Sequence, residues 1–253
     1  MINIIIVSHQ NLADIDKILT ELAGENDYYT IYVRDNVADE NLKRLCSDYN
    51  VSYCSGIRRE GFALNNNIAA EKVLHSCEIA DDDYFLFMNP DAYIIRDELI
   101  KLSTILSEKK YDMFTVDLYS NDEYTIRDPS IRYFPTLKTF LSSFLFDTNK
   151  SIINRDAIHQ DFDLDWCASS FFGVKVGLFK RLNGFDSRFF MYCEDVDICY
   201  RAKKLGAKLS YIANVKAIHY TQKNSKKMLT KNFYWHVKSA ILFLWKKHTL
   251  SKG

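Results

Sequence analysis

Over its first hundred positions the chain alternates between two apolar rhythms. Residues 2–7, INIIIV, form a run of Ile and Val closed by polar residues, the pattern of a strand buried on both faces. Residues 11–23 carry apolar side chains at 12, 15, 18, 19 and 22, which is helical spacing. Residues 29–33 predict a second strand that stops at Arg34-Asp35-Asn36, residues 41–49 a helix, and residues 51–54 a third strand. A helix over 65–77 and a central strand over 83–88 follow, the strand ending at Asn89-Pro90-Asp91. Strands alternating with helices predict an α/β chain with a mostly parallel, doubly wound sheet. Ligands of such sheets bind beyond the carboxyl ends of the strands, where Ser8, Asp35, Gly56 and Asp91 fall.

The second half is less regular. Residues 110–118 predict a strand, 165–176 a strand pair, 175–182 a short helix, and 195–205 a helix closed by Gly206. Two late strands, 208–212 and 216–219, come next. Residues 119–163 follow no period; they hold the element Arg132-Tyr133-Phe134-Pro135 and an apolar stretch over 140–146. No repeat, low-complexity segment or linker divides the chain.

Composition sharpens this picture in two places. The six Cys, at 46, 54, 77, 167, 193 and 199, form no CxxC pair or disulfide framework, so reduced thiols are expected. The formal net charge is zero, yet no Asp or Glu follows Asp197, and thirteen Lys and Arg do. Ahead of that tail, 33 acidic groups face 20 basic ones. A basic tail on an acidic body suggests an anionic partner surface. From residue 226 to 245 apolar residues recur at 229, 233, 237, 241 and 244, which reads as an amphipathic helix lying in a membrane interface, with Phe233, Trp235 and Trp245 as anchors. Packing of that helix on the domain is the alternative. The first strand's short apolar run lacks the basic flank of a signal peptide, and no run reaches the length of a membrane span. Nucleic-acid binding by the tail is not expected, because its aromatics follow the amphipathic pattern.

Several polar clusters could carry chemistry. Asp91 sits at a rigid turn after the central strand, suited to a hard divalent cation or to a plain turn. Asp35 and Asn36 could hydrogen-bond a ligand edge or close an Asx turn. Gly61 permits close backbone approach, and Asn65 could cap the following helix or help bind a diphosphate at its N-terminus. The chain contains no GxGxxG and no GxxxxGK[ST], which disfavours nicotinamide cofactors and P-loop nucleotides. Glu194, Asp195 and Asp197 crowd a predicted helix start between aromatic residues. Capping accounts for one acid but not three, and the helix N-terminus would keep one ionised as a general base. His219 ends a late strand, where it could be a core histidine or a metal ligand.

In this order the elements VSHQN, RDN, GFALNNNI, FLFMNPDA, DWCASSFF, GFDSRFFMYCEDVDICYR and AIHY resemble the inverting family 2 glycosyltransferases of GT-A fold. The likeness runs over residues 2–221, and the RYFP and NPD elements place it nearest the bacterial O-antigen rhamnosyltransferases. It implies a GT-A domain over 1–221, with a nucleotide-sugar half (1–100) and an acceptor half (101–221), and a basic helical segment over 222–253. It also implies transfer of L-rhamnose from dTDP-L-rhamnose to a GlcNAc-diphospho-undecaprenol-type acceptor, at the cytoplasmic face of a bacterial inner membrane. By position, Asp195 would be the base, supported by Glu194. Ser8, Asp35, Asn36, Gly61, Asn65, Asn89 and Asp91 would line the nucleotide-sugar pocket. Asp91 and His219 would hold Mg²⁺ or Mn²⁺, and Trp166, Phe190 and Tyr192 would line the acceptor side. Arg201 would face phosphate or the acid cluster. One position departs from the family's Asp-x-Asp motif: its first acid is Asn89 here, leaving Asp91 the only charged ligand of the triplet.

Overall fold

The structure, a computed structural model, describes residues 1–56, 58–76, 78–146, 151–155, 158, 160–220 and 231–250. The first half follows the expected alternation: β1 (Ile2–Ser8), α1 (Leu12–Leu22), β2 (Tyr29–Asp35), α2 (Glu40–Asp48), β3 (Ser52–Ser55), α3 (Phe62–Ser76) and β4 (Tyr84–Met88). A two-residue strand, β5 (Ala92–Tyr93), then leads into α4 (Arg96–Lys109), a helix the apolar pattern did not reveal. The second half adds β6 (Met113–Tyr119), β7 (Ile131–Arg132), α5 (Leu137–Phe146), β8 (Phe162–Leu164), β9 (Trp166–Cys167), β10 (Phe171–Lys175), α6 (Val176–Arg181), α7 (Glu194–Lys204), β11 (Leu209–His219) and α8 (Lys231–Leu250).

The main sheet runs β3-β2-β1-β4-β10-β6-β11-β5, with β8 also paired to β11. Its β3-β2-β1-β4 half is parallel, and β10 enters antiparallel between β4 and β6. Period-two alternation assigns side chains to its two faces. Ile4, Ile6, Leu86 and Met88 join α1 and α4 in one apolar layer, while Ile5, Phe85 and Phe87 join α3, α6 and α7 in the other. Burial on both faces is why β1, broken only by the hydrogen-bonded Asn3, and β4 read as apolar runs.

Three differences from the sequence-based expectation bear on function. The two late strands are one, β11, with an irregularity between Ile212 and Lys216 that interrupts the pattern. Helix α3 starts at Phe62, three residues early, so Asn65 lies inside its first turn and does not cap it. The C-terminal helix α8 is docked. Ala240, Phe243 and Lys246 are buried, Phe243 meets Tyr200 of α7, and Lys246 forms ion pairs with Asp186 and Asp197. Of the expected interfacial anchors, Trp235 packs on Phe190 with ring centroids 4.7 Å apart, Phe233 is half-buried, and Trp245 is exposed. Position 229 lies outside the described residues. The outward stripe is Tyr234, Lys238, Ile241 and Trp245.

Candidate active site

The site forms where four chain segments meet beyond the carboxyl ends of β1, β2 and β4. β10 lies antiparallel to β4, so its start faces β4's end, and the Asn89 N–H donates to the Ser170 carbonyl at 2.9 Å. Next to Ser170, the Ser169 backbone N–H reaches the Asp195 carboxylate. On the other side, Ala92 of β5 pairs with His219 of β11, which sets the imidazole beside Asp91. Residues up to 130 positions apart are thereby joined at one edge.

Asp195 and Glu194 open α7, directly after two residues in left-handed backbone geometry, Tyr192 (φ 71°) and Cys193 (φ 63°). Such geometry is strained for residues other than glycine and is retained where the surroundings enforce it. Glu194 is buried and its Oε2 has no hydrogen-bond partner. Burial and the adjacent Asp195 charge push its carboxyl well above the ordinary range. Asp195 retains some exposure. Burial raises it to about 6, against the pull of the Val196 N–H, the Arg132 charge and the Ser169 N–H. With a value near 6, Asp195 is mostly ionised at pH 7, as a base there needs, while burial favours the neutral form of Glu194. The third acid, Asp197, is not available for chemistry, because Arg201 Nε lies 2.7 Å from it and Lys246 pairs with it too.

His219 is held between two carboxylates. Its Nδ1 lies 3.1 Å from Asp128 Oδ2 and its Nε2 lies 3.5 Å from Asp91 Oδ1. Burial opposes its charge, but the hydrogen bonds and charges of Asp128 and Asp91 outweigh it and raise the imidazole to about 9. No group of three His, Cys, Asp or Glu converges as a ready metal cage among the described residues. The pair fits Mg²⁺ or Mn²⁺ bound to a diphosphate only with the imidazole neutral, so the ion would have to displace its proton; such ions take few protein ligands and complete their shell with phosphate and water oxygens. Asp128 supplies the carboxylate that typically orients a ligating histidine from behind. Sequence reasoning missed it, because it lies in the aperiodic 119–163 segment.

The other expected pocket residues divide. Asp35 is fully buried, and its carboxylate accepts from the N–H groups of Val37 (2.9 Å) and Asp39 (2.6 Å) and from the Tyr53 hydroxyl (2.9 Å). That is the Asx-turn alternative. Asn36 exchanges hydrogen bonds with the Glu60 backbone and reaches His9 Nδ1 at 3.3 Å, and Ser8 Oγ accepts from the Asn11 N–H. Asn65 is buried, donating to Glu60 O and Gly61 O and accepting from Arg34 Nε, so it cannot present donors to a diphosphate. Arg201 is structural as well: beyond Asp197 it donates to the Leu182 and Gly184 carbonyls, which leaves phosphate out of its reach.

Gly61 does serve a close approach, but to the 190–193 loop. The Phe62 N–H donates to Phe190 O, and a Cβ on Gly61 would lie 2.3 Å from that oxygen. Gly61→Ala is therefore expected to cost about 1–3 kcal/mol in chemical denaturation, as overpacking does, and to loosen the 190–193 loop. A change under about 0.5 kcal/mol would show that this approach relaxes freely. In the same loop Phe190 packs on Trp235, and Tyr192 stacks on His236 with centroids 4.7 Å apart. Trp166 is buried and donates from Nε1 to Tyr133 O, with the Arg132 guanidinium 5.3 Å above its ring.

The fold is that of the GT-A glycosyltransferases. GalNAc-T7, solved with UDP, GalNAc and Mn²⁺, superposes with a TM-score of 0.65 at 13% identity over 96% of this chain; this chain spans about half (47%) of that one. The mannosyltransferase PcManGT of Pyrobaculum calidifontis, solved with GDP-Man and Mn²⁺, gives 0.59 at 14% identity, covering 89% of this chain and 58% of the other. No family model matches the sequence. Among characterised proteins, rhamnosyltransferase WbbL of Escherichia coli K12 is 40% identical over 252 residues, 99% of this chain and 95% of its own length. The N-acetylglucosaminyl-diphospho-decaprenol L-rhamnosyltransferase of Mycobacterium tuberculosis is 31% identical over 84 residues, 33% of this chain and 27% of that protein. The chain belongs to the rhamnosyltransferase family of WbbL, and it is a glycosyltransferase. The resemblance drawn from the motifs is thereby borne out.

Proposed function

We propose that this glycosyltransferase moves L-rhamnose from dTDP-L-rhamnose to a hydroxyl of a GlcNAc-diphospho-polyprenol-type acceptor, with inversion, during O-antigen or related surface-polysaccharide synthesis. The names of the two relatives support the sugar and the kind of acceptor. The observation that carries the mechanism is the chain of contacts Asn89–Ser170, Ser169–Asp195, which sets the Glu194/Asp195 carboxyls and the Asp91/His219 pair at one sheet edge.

In this reading the acceptor oxygen bonds to the anomeric carbon as the bond from that carbon to the diphosphate oxygen breaks. Asp195 takes the hydroxyl proton, and the leaving dTDP carries away the bonding electron pair. Burial favours the neutral form of Glu194, which in this reading leaves Asp195 as the charged member of the pair. Asp91 and His219 would hold Mg²⁺ or Mn²⁺, which supplies positive charge against the diphosphate when bound. Asp128 holds the imidazole so that Nε2 faces Asp91. Asp128→Asn is then expected to weaken Mn²⁺ binding about 10–100-fold in calorimetric titration of the dTDP complex. Unchanged affinity would remove Asp128 from the metal's support.

No helix among the described residues is long and apolar enough to cross a membrane. A lipid-linked acceptor calls for peripheral attachment at the inner-membrane surface, and the outward stripe Tyr234, Lys238, Ile241 and Trp245 of α8 suits anionic lipid. The deciding experiment is a panel of nucleotide sugars offered with Mg²⁺, Mn²⁺ or EDTA and a synthetic GlcNAc-diphospho-lipid. Transfer from dTDP-rhamnose that EDTA abolishes is expected. Transfer only from another nucleotide sugar would overturn the donor, and transfer in EDTA would overturn the metal.

A further inference from the structure

The 119–163 segment contributes one cation that the mechanism above does not use. Three guanidiniums around the site have carboxylate partners: Arg127 and Arg155 face Asp117, and Arg201 holds Asp197. Arg132 has none within ion-pair distance among the described residues. Its Nε donates to Pro129 O at 2.8 Å, and its flat face lies over Trp166. The terminal nitrogens, which make the fork that matches phosphate oxygens, are left over.

Its position is fixed from three sides. Arg132 pairs in register with Trp166 through β7 and β9, and β9 packs on α7, which carries Asp195. The Arg132 charge acts on Asp195 and also on His236 of α8, an imidazole that burial and this cation hold down near 4. Asp128, behind His219, feels it too. A half-buried guanidinium beside the base, with no carboxylate at ion-pair distance among the described residues, is suited to an anion brought in by a ligand.

We propose that Arg132 binds the diphosphate of the lipid-linked acceptor, an assignment that rests on the acceptor class given above. Two points favour the acceptor's diphosphate over the donor's. The reading above already gives the donor diphosphate the Asp91/His219 pair. The chain that leaves Arg132 also exposes apolar side chains at Tyr133 (58%), Leu137 (60%) and Leu141 (49%), which suits a prenyl tail running out from a bound headgroup. Lys247 of α8 donates to Pro135 O, so this ridge begins beside the C-terminal turns of α8.

The test compares wild type, Arg132→Gln and Arg132→Lys by calorimetric titration with farnesyl diphosphate, farnesol and dTDP, alongside kinetics with the GlcNAc-diphospho-lipid. Loss of farnesyl diphosphate affinity by at least tenfold in Arg132→Gln is expected, with dTDP binding within twofold. Arg132→Lys, which keeps charge without the fork, should fall between and guards against a misfolded Gln variant. The acceptor KM should rise in parallel while the donor KM holds. Weakened dTDP binding would move Arg132 to the donor, and unchanged binding of both, or a wild type blind to farnesyl diphosphate, would overturn the assignment. Because the titrations need no transfer, a wrong donor sugar or acceptor would fail the activity panel and leave this result standing.

Discussion

Asp195→Asn is expected to lower kcat by about 10²–10⁴-fold, the usual contribution of a positioned general base. The amide is isosteric and can still accept the Val196 N–H at 2.8 Å, so the start of α7 should hold and the donor KM should change little. The loss then reports proton transfer rather than folding. The wild-type pH profile should agree with it. A carboxyl raised to about 6 is half protonated there, so kcat/KM should fall tenfold per unit below that point, with an acid limb belonging to the Glu194/Asp195 pair. The sign for stability is the reverse. An acid whose folded pKa lies above its unfolded one loses favourable proton binding as pH climbs from about 4 to 6, so this site carries its charge at the expense of stability. A variant that kept a tenth or more of wild-type kcat would remove Asp195 as the base.

How much of this could be read beforehand follows from what each residue answers to. β1 and β4 were legible because burial on both faces leaves nearly continuous Ile, Val and aromatic runs, with Asn3 the one polar break. Asp195, Asp91 and His219 could be singled out as candidates because a charged group at the end of an apolar strand or between aromatics has few structural reasons to be there. Asp35 and Asn65 are harder to read for the opposite reason. Short polar side chains satisfy their own backbone as readily as a ligand, and sequence does not separate the two. Helix α4 escaped notice because only Leu99, Leu102 and Leu106 of its fourteen residues are buried, a sparse stripe. Asp128 and Arg132 fall in the aperiodic 119–163 segment, and only tertiary pairing through β7–β9 and His219 brings them to the site. The one available signal was an Arg opening the aromatic RYFP element.

The docking of α8 was the largest surprise, and it makes the last prediction a strong one. Amphipathic spacing says that a helix has an apolar face, not whether lipid or protein covers it. Here protein covers it, and the decisive residue is a lysine. Lys246, 7% exposed, places its ammonium 2.6 Å from Asp186 and against Asp197, itself 1% exposed. Despite their burial, Asp186 is held below the ordinary carboxylate range by the hydrogen bonds of Arg188 and Lys246. Removing one member of a buried ion cluster costs about 3–5 kcal/mol, because the partner charge stays behind unpaired. Arg201 remains on Asp197 and Arg188 on Asp186, so Lys246→Met should fall at the lower end, about 3 kcal/mol. For a chain of this size that is a drop of roughly 6–12 °C in Tm. High salt should not reproduce it in the wild type, since a buried cluster is screened far less than a surface pair. Catalysis should suffer in step, because α8 also anchors the loop ahead of Glu194 through Ser239 Oγ to Met191 O and His236 on Tyr192. Acceptor KM, more than donor KM, should register that loosening. A Tm within about 2 °C of wild type would mean that Phe243 and Trp235 alone hold α8 in place. The cluster would then fix the register of the helix rather than its stability.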